Sequence, residues 1–174
     1  MRFHPLASSS HGNAYVLEDG ETFLLIECGV TYKKLQKLMG FSVSQAAACL
    51  ISHEHKDHAG CYDQLHKSGI PVYASAGTAE ALERDWMEIL EDREPVQIGS
   101  LQVLPFPTCH DAAEPMGFLI RSQRDEDKLV FATDTVNLGY QFPGVTMAAI
   151  ECNYAEDILE RAERIPEKVR YRVQ

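Results

Sequence analysis

The sequence predicts one mixed α and β domain, built either from two sheets with helices outside or from one mixed sheet. Short apolar runs typical of strands recur along the chain, and turn pairs such as Asp19-Gly20 and Gly99-Ser100 separate them. Segments with helical spacing lie between these runs, and no internal repeat or linker divides the chain. At 174 residues the chain fits a single domain that buries roughly two-thirds of its unfolded surface.

The predicted strands are runs of apolar or β-branched residues bounded by turn residues. In chain order they cover residues 2–3, 13–17, 23–26, 47–51, 72–73, 101–106, 118–121, 129–132 and 147–150. The predicted helices have apolar residues at helical spacing and cover residues 32–39, 61–67, 78–90 and 155–164. Gly40 is predicted to end the first helix, and Thr78 to be the N-cap of the third.

Composition predicts a soluble, cytoplasmic globular protein. Hydrophobic residues make up 45% of the chain and charged residues 24%, which is ordinary for such proteins. No apolar run approaches the ~20 residues that span a bilayer, and no signal-like segment opens the chain, so no membrane partner is predicted. The net charge of -10 disfavours strong binding to long polyanions. We expect reduced, buried thiols at Cys28, Cys49, Cys61, Cys109 and Cys152.

Three histidines and an aspartate form the pattern H-x-H-x-D-H over residues 53–58. The pattern follows a predicted buried strand and precedes a short predicted helix, so it lies in a loop where side chains can converge. Imidazoles and carboxylates are suitable ligands for zinc, and also for manganese or iron. His53 and His55, two residues apart, can share one ion, whereas Asp57 and His58 can face a neighbouring ion. The pattern therefore predicts a metal site.

Two later strands lead into residues of the same ligand types. The predicted strand at 101–106 is followed by His110, and the strand at 129–132 by Asp134. Loops at strand ends carry functional side chains on a rigid scaffold. We therefore predict that His110 and Asp134 close the same site.

Together these residues resemble the metallo-β-lactamase superfamily of metal-dependent hydrolases. The pattern H-x-H-x-D-H is its characteristic motif, and His110 and Asp134 follow in the family's order. The likeness extends over nearly the whole chain. Within the superfamily the chain resembles the WalJ/YycJ branch, on the stretches 8–13, 71–78, 110–117, 133–134 and 151–153.

The resemblance implies a four-layer αβ/βα sandwich of two mixed sheets with outer helices, spanning residues 1–174 as one domain. It also implies one or two divalent ions, with Zn²⁺ favoured and Mn²⁺ or Fe²⁺ as alternatives. The implied ligands are His53, His55 and His110 for the first ion, Asp57 and His58 for the second, and Asp134 between them. Asp57 is also the implied catalytic residue, because it would orient a metal-held hydroxide for attack on the substrate.

Three positions depart from the family pattern. Glu27 stands where the superfamily has an aspartate that orients a metal ligand, and Tyr154 stands where the branch has a histidine. No histidine follows His110, although the second ion takes a further histidine near the C-terminus in the family. A C-terminally truncated chain, a ligand donated within a homo-oligomer, and an open second site are the alternatives. We expect the first site to bind its ion more tightly than the second.

The favoured function is a metal-dependent phosphodiesterase or nuclease, acting on a small-molecule or nucleic-acid phosphodiester. One alternative is an acyl hydrolase of the glyoxalase II type, acting on thioesters or lactones. Against it, Ala59-Gly60 is followed by Cys61, where the glyoxalase pattern has a second glycine. The other alternative is a catalytically inactive accessory module with the same fold.

Overall fold

The computed structural model describes residues 1–151, in which eleven strands form two sheets. The first sheet has six strands that lie side by side in chain order. They are β1 (Arg2–Ala7), β2 (Ala14–Glu18), β3 (Phe23–Ile26), β4 (Ala48–Leu50), β5 (Val72–Ala74) and β6 (Glu88–Ile89). Strands β1 to β3 pair antiparallel, and the pairs from β3 to β6 are parallel.

Parallel neighbours need a crossover, and each crossover in this sheet contains a helix. The crossover helices are α1 (Tyr32–Leu38), α2 (Tyr62–Lys67) and α3 (Ala76–Ala81), with a 3₁₀ turn at Val43–Gln45. Leu35 of α1 and Leu65 of α2 are fully buried in one apolar cluster with Leu25 of β3. The helices therefore cover one face of the first sheet.

The second sheet has five strands in the order β11-β10-β9-β8-β7. They are β7 (Val96–Ile98), β8 (Leu101–Pro107), β9 (Met116–Ser122), β10 (Lys128–Ala132) and β11 (Met147–Ile150). Only the β10–β11 pair among them is parallel. The predicted architecture of two mixed sheets with outer helices is thus confirmed.

The main core lies between the two sheets. Because side chains alternate along a strand, Leu24 and Ile26 point away from the helices and join the cluster that contains Phe118 and Ile120 of β9. All four side chains are fully buried. On the outer face of the second sheet, Phe106 packs against the loop that follows β10. This packing fixes the strand ends from which the site loops emerge.

The predicted helix over residues 78–90 is right for residues 78–81 and wrong beyond them. Thr78 is not the N-cap. Ser75 is the N-cap, because its hydroxyl accepts from the Thr78 backbone N–H at 3.1 Å, and α3 ends at Ala81. Glu83 has a left-handed φ of 56°, which stops the helix. The chain then forms the short edge strand β6. The sequence also gave no prediction of β7, which has only three residues.

Three of the predicted buried thiols, Cys28, Cys49 and Cys61, are buried and free, but Cys109 is exposed, so that prediction is wrong for Cys109. Cys152, Tyr154 and the predicted helix at 155–164 lie outside the described residues. Among residues 1–151, no helix has both the length and the apolar character needed to cross a membrane.

Candidate metal centre

The residues predicted to bind metal come from three loops at one end of the two sheets. The H-x-H-x-D-H segment joins β4 to α2, His110 lies between β8 and β9, and Asp134 follows β10. A backbone hydrogen bond from Met116 N to Ser52 O (3.0 Å) ties the start of β9 to the first loop. The ends of both sheets thus meet at the site.

The first group of candidate ligands consists of His53, His55 and His110. One ring nitrogen of each lies within 4.8 Å of the others. The His110 Nε2 and His55 Nδ1 atoms are 3.2 Å apart, and the ring centroids of His53 and His110 are 4.7 Å apart. This is the set that the sequence predicted for the first ion.

The second group consists of His53, His58 and Asp134. The Asp134 Oδ2 atom lies 2.8 Å from His58 Nε2 and 3.6 Å from His53 Nε2, so it faces both imidazoles. Asp57 belongs to neither group, although its Oδ2 atom is 3.5 Å from His58 Nε2. Asp57 is half-buried and stands at the rim of the site.

The donor atoms of His53 fit a divalent cation. Its Nδ1 atom is hydrogen-bonded to Ser52 Oγ at 2.9 Å, which turns Nε2 toward the other candidate ligands. Nε2 is buried and has no hydrogen-bond partner among the described residues. Burial, reinforced by the neighbouring histidines, lowers the pKa of His53 to about 3. A buried, neutral imidazole with a free nitrogen is the form that binds metal.

His58 lies between two carboxylates. Its Nε2 faces Asp134, and its Nδ1 is 3.6 Å from Oε2 of the fully buried Glu27. Burial lowers the pKa of His58, but the hydrogen bond to Asp134 and the nearby carboxylate of Glu27 outweigh this effect and raise the pKa to about 10. The hydrogen bond from His58 lowers the pKa of Asp134. Glu27 Oε1 also accepts from Ser52 N at 3.2 Å, so Glu27, although it departs from the family's aspartate, contacts the site.

Two residues that contact the candidate ligands were not recognised from the sequence. Glu151 Oε2 accepts hydrogen bonds from the Asp134 N–H (2.8 Å) and from Thr133 Oγ1 (2.7 Å). It therefore holds Asp134, whose φ of 47° is left-handed. The Nδ2 atom of Asn13 lies 3.2 Å from His58 Nε2. Both residues lie in stretches that carry the family resemblance, 8–13 and 151–153, but no contact with the ligands was predicted for either.

Backbone contact positions the loop that carries Asp57 and His58. Asn13 N donates to Asp57 O at 2.7 Å, and Cys28 N donates to His58 O at 2.8 Å. A Cβ atom placed on Gly29 would lie 1.6 Å from Asp57 O. Only glycine allows the two backbone segments to approach this closely.

The chain is similar to known proteins over most of its length. The family model described as a β-lactamase superfamily domain matches residues 22–158. The chain is 29% identical over 188 residues to exodeoxyribonuclease YycJ of Bacillus anthracis, with 99% of this chain and 70% of the relative covered. It is also 29% identical over 176 residues to exodeoxyribonuclease WalJ of Streptococcus pneumoniae, with 91% and 65% covered.

A solved structure shows the same fold. It is a metallo-β-lactamase of Cronobacter sakazakii with a HARLDQ motif, which superposes with a TM-score of 0.62 at 16% identity. The alignment covers 77% of this chain and 60% of the enzyme. The chain thus spans between 60% and 70% of the lengths of these three proteins.

Proposed function

Since the chain belongs to the metallo-β-lactamase superfamily, we propose that it is a metal-dependent hydrolase that cleaves phosphodiester bonds in nucleic acid. The observation that carries this proposal is the pair of adjoining ligand groups, which share His53. Adjoining groups of this kind suit two ions, which would stabilise the attacking and the leaving oxygen when a phosphodiester is cleaved. The likeness to two exodeoxyribonucleases supports the choice of substrate.

The proposed ligands of the first ion are the imidazoles of His53, His55 and His110. The proposed ligands of the second ion are His58 and Asp57, and the Asp134 carboxylate would be shared by both ions. Zn²⁺ is favoured for this set of nitrogen and oxygen donors, and Mn²⁺ and Fe²⁺ are alternatives. When bound, such ions supply a water nucleophile at neutral pH and offset negative charge on the phosphate oxygens.

Asp57 is the proposed catalytic residue, which would orient the metal-activated nucleophile for attack on the substrate. Two features support this role: its carboxylate is 3.5 Å from His58 Nε2, and 35% of its side chain is exposed, so substrate can reach it. Glu27 faces Nδ1 of His58, and Glu151 accepts a hydrogen bond from the backbone N–H of Asp134. Such support keeps ligands aligned without large rearrangement during the reaction.

The test is hydrolysis of bis-p-nitrophenyl phosphate, a thioester and a lactone by the full chain loaded with zinc or manganese. We expect diester turnover, and His55→Ala should reduce it by about 10²-fold or more because it removes a ligand. His4→Ala is the matched control, since His4 is exposed and pairs with Glu18 away from the site. Diester turnover that survives His55→Ala would refute the site assignment.

The same assay separates the alternatives. Turnover of the thioester or lactone alone would favour the acyl hydrolase, and no turnover by metal-loaded protein would favour the inactive module. We also propose that the first ion is held more tightly than the second. Metal analysis that finds two equally retained ions per chain would contradict this. A cytoplasmic location and a homo-oligomer that completes the second site stay predictions.

A further inference from the structure

A groove of about 360 Å³ opens beside the candidate metal centre. Asp57, Lys34 and Lys56 are among the residues that line it, and so are Gly29 and Gly60. The groove therefore borders the proposed catalytic carboxylate and carries two ammonium groups.

Two glycines of the lining lie directly against neighbouring backbone. A Cβ atom on Gly29 would overlap the backbone of Asp57, and one on Gly60 would lie 3.0 Å from both Gly29 C and Lys56 O. These close contacts hold the backbone that carries Lys56 and Asp57 against Gly29.

The two lysines have no anionic partner. Both side chains are exposed, and neither forms an ion pair within residues 1–151. In a chain with a net charge of -10, two unpaired ammonium groups in one groove form a local positive site. Asp57 is the one carboxylate on the lining, and it is a proposed metal ligand.

The positions of these ammonium groups relative to the metal centre are set by the backbone. Lys56 lies between the candidate ligands His55 and Asp57, in a turn closed by the 2.9 Å bond from His58 N to His55 O. Lys34 lies in the first turn of α1, where its N–H donates to Thr31 Oγ1 at 3.3 Å. A lysine ammonium binds phosphate as a compact positive charge, and a fixed backbone limits where that charge can lie.

We propose that this groove binds the backbone of a single nucleic-acid strand, with Lys34 and Lys56 contacting phosphates that flank the one at the metal centre. This inference rests on the proposed function, and it specifies where the substrate strand lies on the protein. Two lysine contacts suit a short single strand better than a duplex, because duplex-binding proteins commonly make about 6–10 phosphate contacts. The overall acidity of the chain also disfavours a long duplex.

The test is equilibrium binding of a fluorescently labelled DNA strand of about ten nucleotides to the full, metal-loaded chain. A phosphorothioate backbone slows hydrolysis, and fluorescence anisotropy reports binding. Lys34→Gln and Lys56→Gln should each weaken binding about threefold to fivefold at low salt. Each should also reduce the slope of log affinity against log salt by roughly 0.7.

Lys33→Gln is the matched control. Lys33 neighbours Lys34 on α1 and is exposed, but it does not line the groove. The control should bind the strand as the unsubstituted chain does. If the double variant of Lys34 and Lys56 binds as tightly as this control, the groove assignment is overturned.

The two proposals can fail separately. Turnover of bis-p-nitrophenyl phosphate without strand binding would overturn the groove and leave the hydrolase standing. Strand binding that depends on Lys34 and Lys56, in a protein that cleaves no diester, would support the groove and remove the proposed function.

Discussion

Replacing Gly29 with alanine tests whether the candidate metal centre depends on the backbone contact beneath it. The new Cβ atom would lie 1.6 Å from Asp57 O, whereas real Cβ atoms essentially never come within 3.0 Å of a neighbour. The shortfall of 1.4 Å, which is 3.0 less 1.6, must be met by movement. Asp57 O is a backbone atom that already accepts from Asn13 N at 2.7 Å, so no flexible side chain can absorb the clash.

The expected effects are on stability and on the site. Overpacking of this kind costs about 1–3 kcal/mol of unfolding free energy, and more where backbone is trapped. The loop that moves carries Asp57 and His58, and His58 Nε2 lies only 2.8 Å from Asp134 Oδ2. Because a misplacement of about 1 Å can cost about 10²-fold in rate, we expect turnover to fall by about that factor and metal retention to fall with it.

Urea unfolding, metal content after dialysis and hydrolysis of bis-p-nitrophenyl phosphate measure these effects. Gly139→Ala is the control, because a Cβ there meets nothing within 4 Å and Gly139 has no left-handed φ. We expect the control to stay within about 0.5 kcal/mol of the unsubstituted chain. Gly29→Ala protein with unchanged stability and metal content would refute the reasoning.

Three further substitutions test other contacts. Glu151→Ala removes the acceptor of the Asp134 N–H, and we expect metal affinity measured by titration to fall about 10–100-fold. Asp19→Ala should lower stability at pH 7 by about 1–2 kcal/mol, measured by urea unfolding. Burial raises the pKa of Asp19, but hydroxyl and backbone donors outweigh it and lower the pKa from 3.8 to about 2, so this stability is present above pH 3.8 and is lost as pH falls through 2. Glu27→Ala should destabilise the metal-free protein by about 3 kcal/mol at pH 6, because it removes the carboxylate that faces Nδ1 of the buried His58 cation. Since the pKa of His58 is raised from 6.5 to about 10, the loss should shrink as pH rises through 10.

Glu126→Ala is the common control for these carboxylates, since Glu126 is exposed. Unchanged metal affinity in Glu151→Ala would show that Asp134 keeps its position without this support. A stability difference for Asp19→Ala that persists undiminished at pH 2 would contradict the hydrogen-bond argument. Destabilisation by Glu27→Ala that is equal at pH 6 and above pH 10 would show that the charge on His58 is not its cause.

The sequence predicted most of the architecture, because a strand covered on both faces is a continuous apolar run, as for Leu24 to Ile26, which are all fully buried. It failed over residues 82–90. There the apolar residues Met87 and Leu90 fit helical spacing, but a backbone reversal at Glu83 converts the segment into an edge strand joined to β5. Arg84, held by both oxygens of Asp63, fixes that reversal.

The candidate ligands were predictable because a short motif concentrates four of them in one loop. Their supports were not, because each comes from a distant part of the chain. Glu151 contacts Asp134 only because β11 lies parallel to β10, and Asn13 contacts His58 across 45 positions. A strand pairing of that kind has no local signal in the sequence. The sequence therefore predicted the candidate ligands but not the residues, such as Glu151 and Asn13, that hold them in place.

His53 belongs to both ligand groups. Its Nδ1 atom is hydrogen-bonded to Ser52 Oγ, so Nε2 is the nitrogen left for a metal, and a neutral imidazole has one lone pair to give. Two cations bound at the same time must therefore compete for this lone pair. A cation in the second group that does not obtain it would keep only His58 and Asp134 as ligands. Asp57, 3.5 Å from His58 Nε2, is the nearest replacement donor. The two ions should accordingly bind one after the other, and binding of the second ion should draw the Asp57 carboxylate inward from solvent.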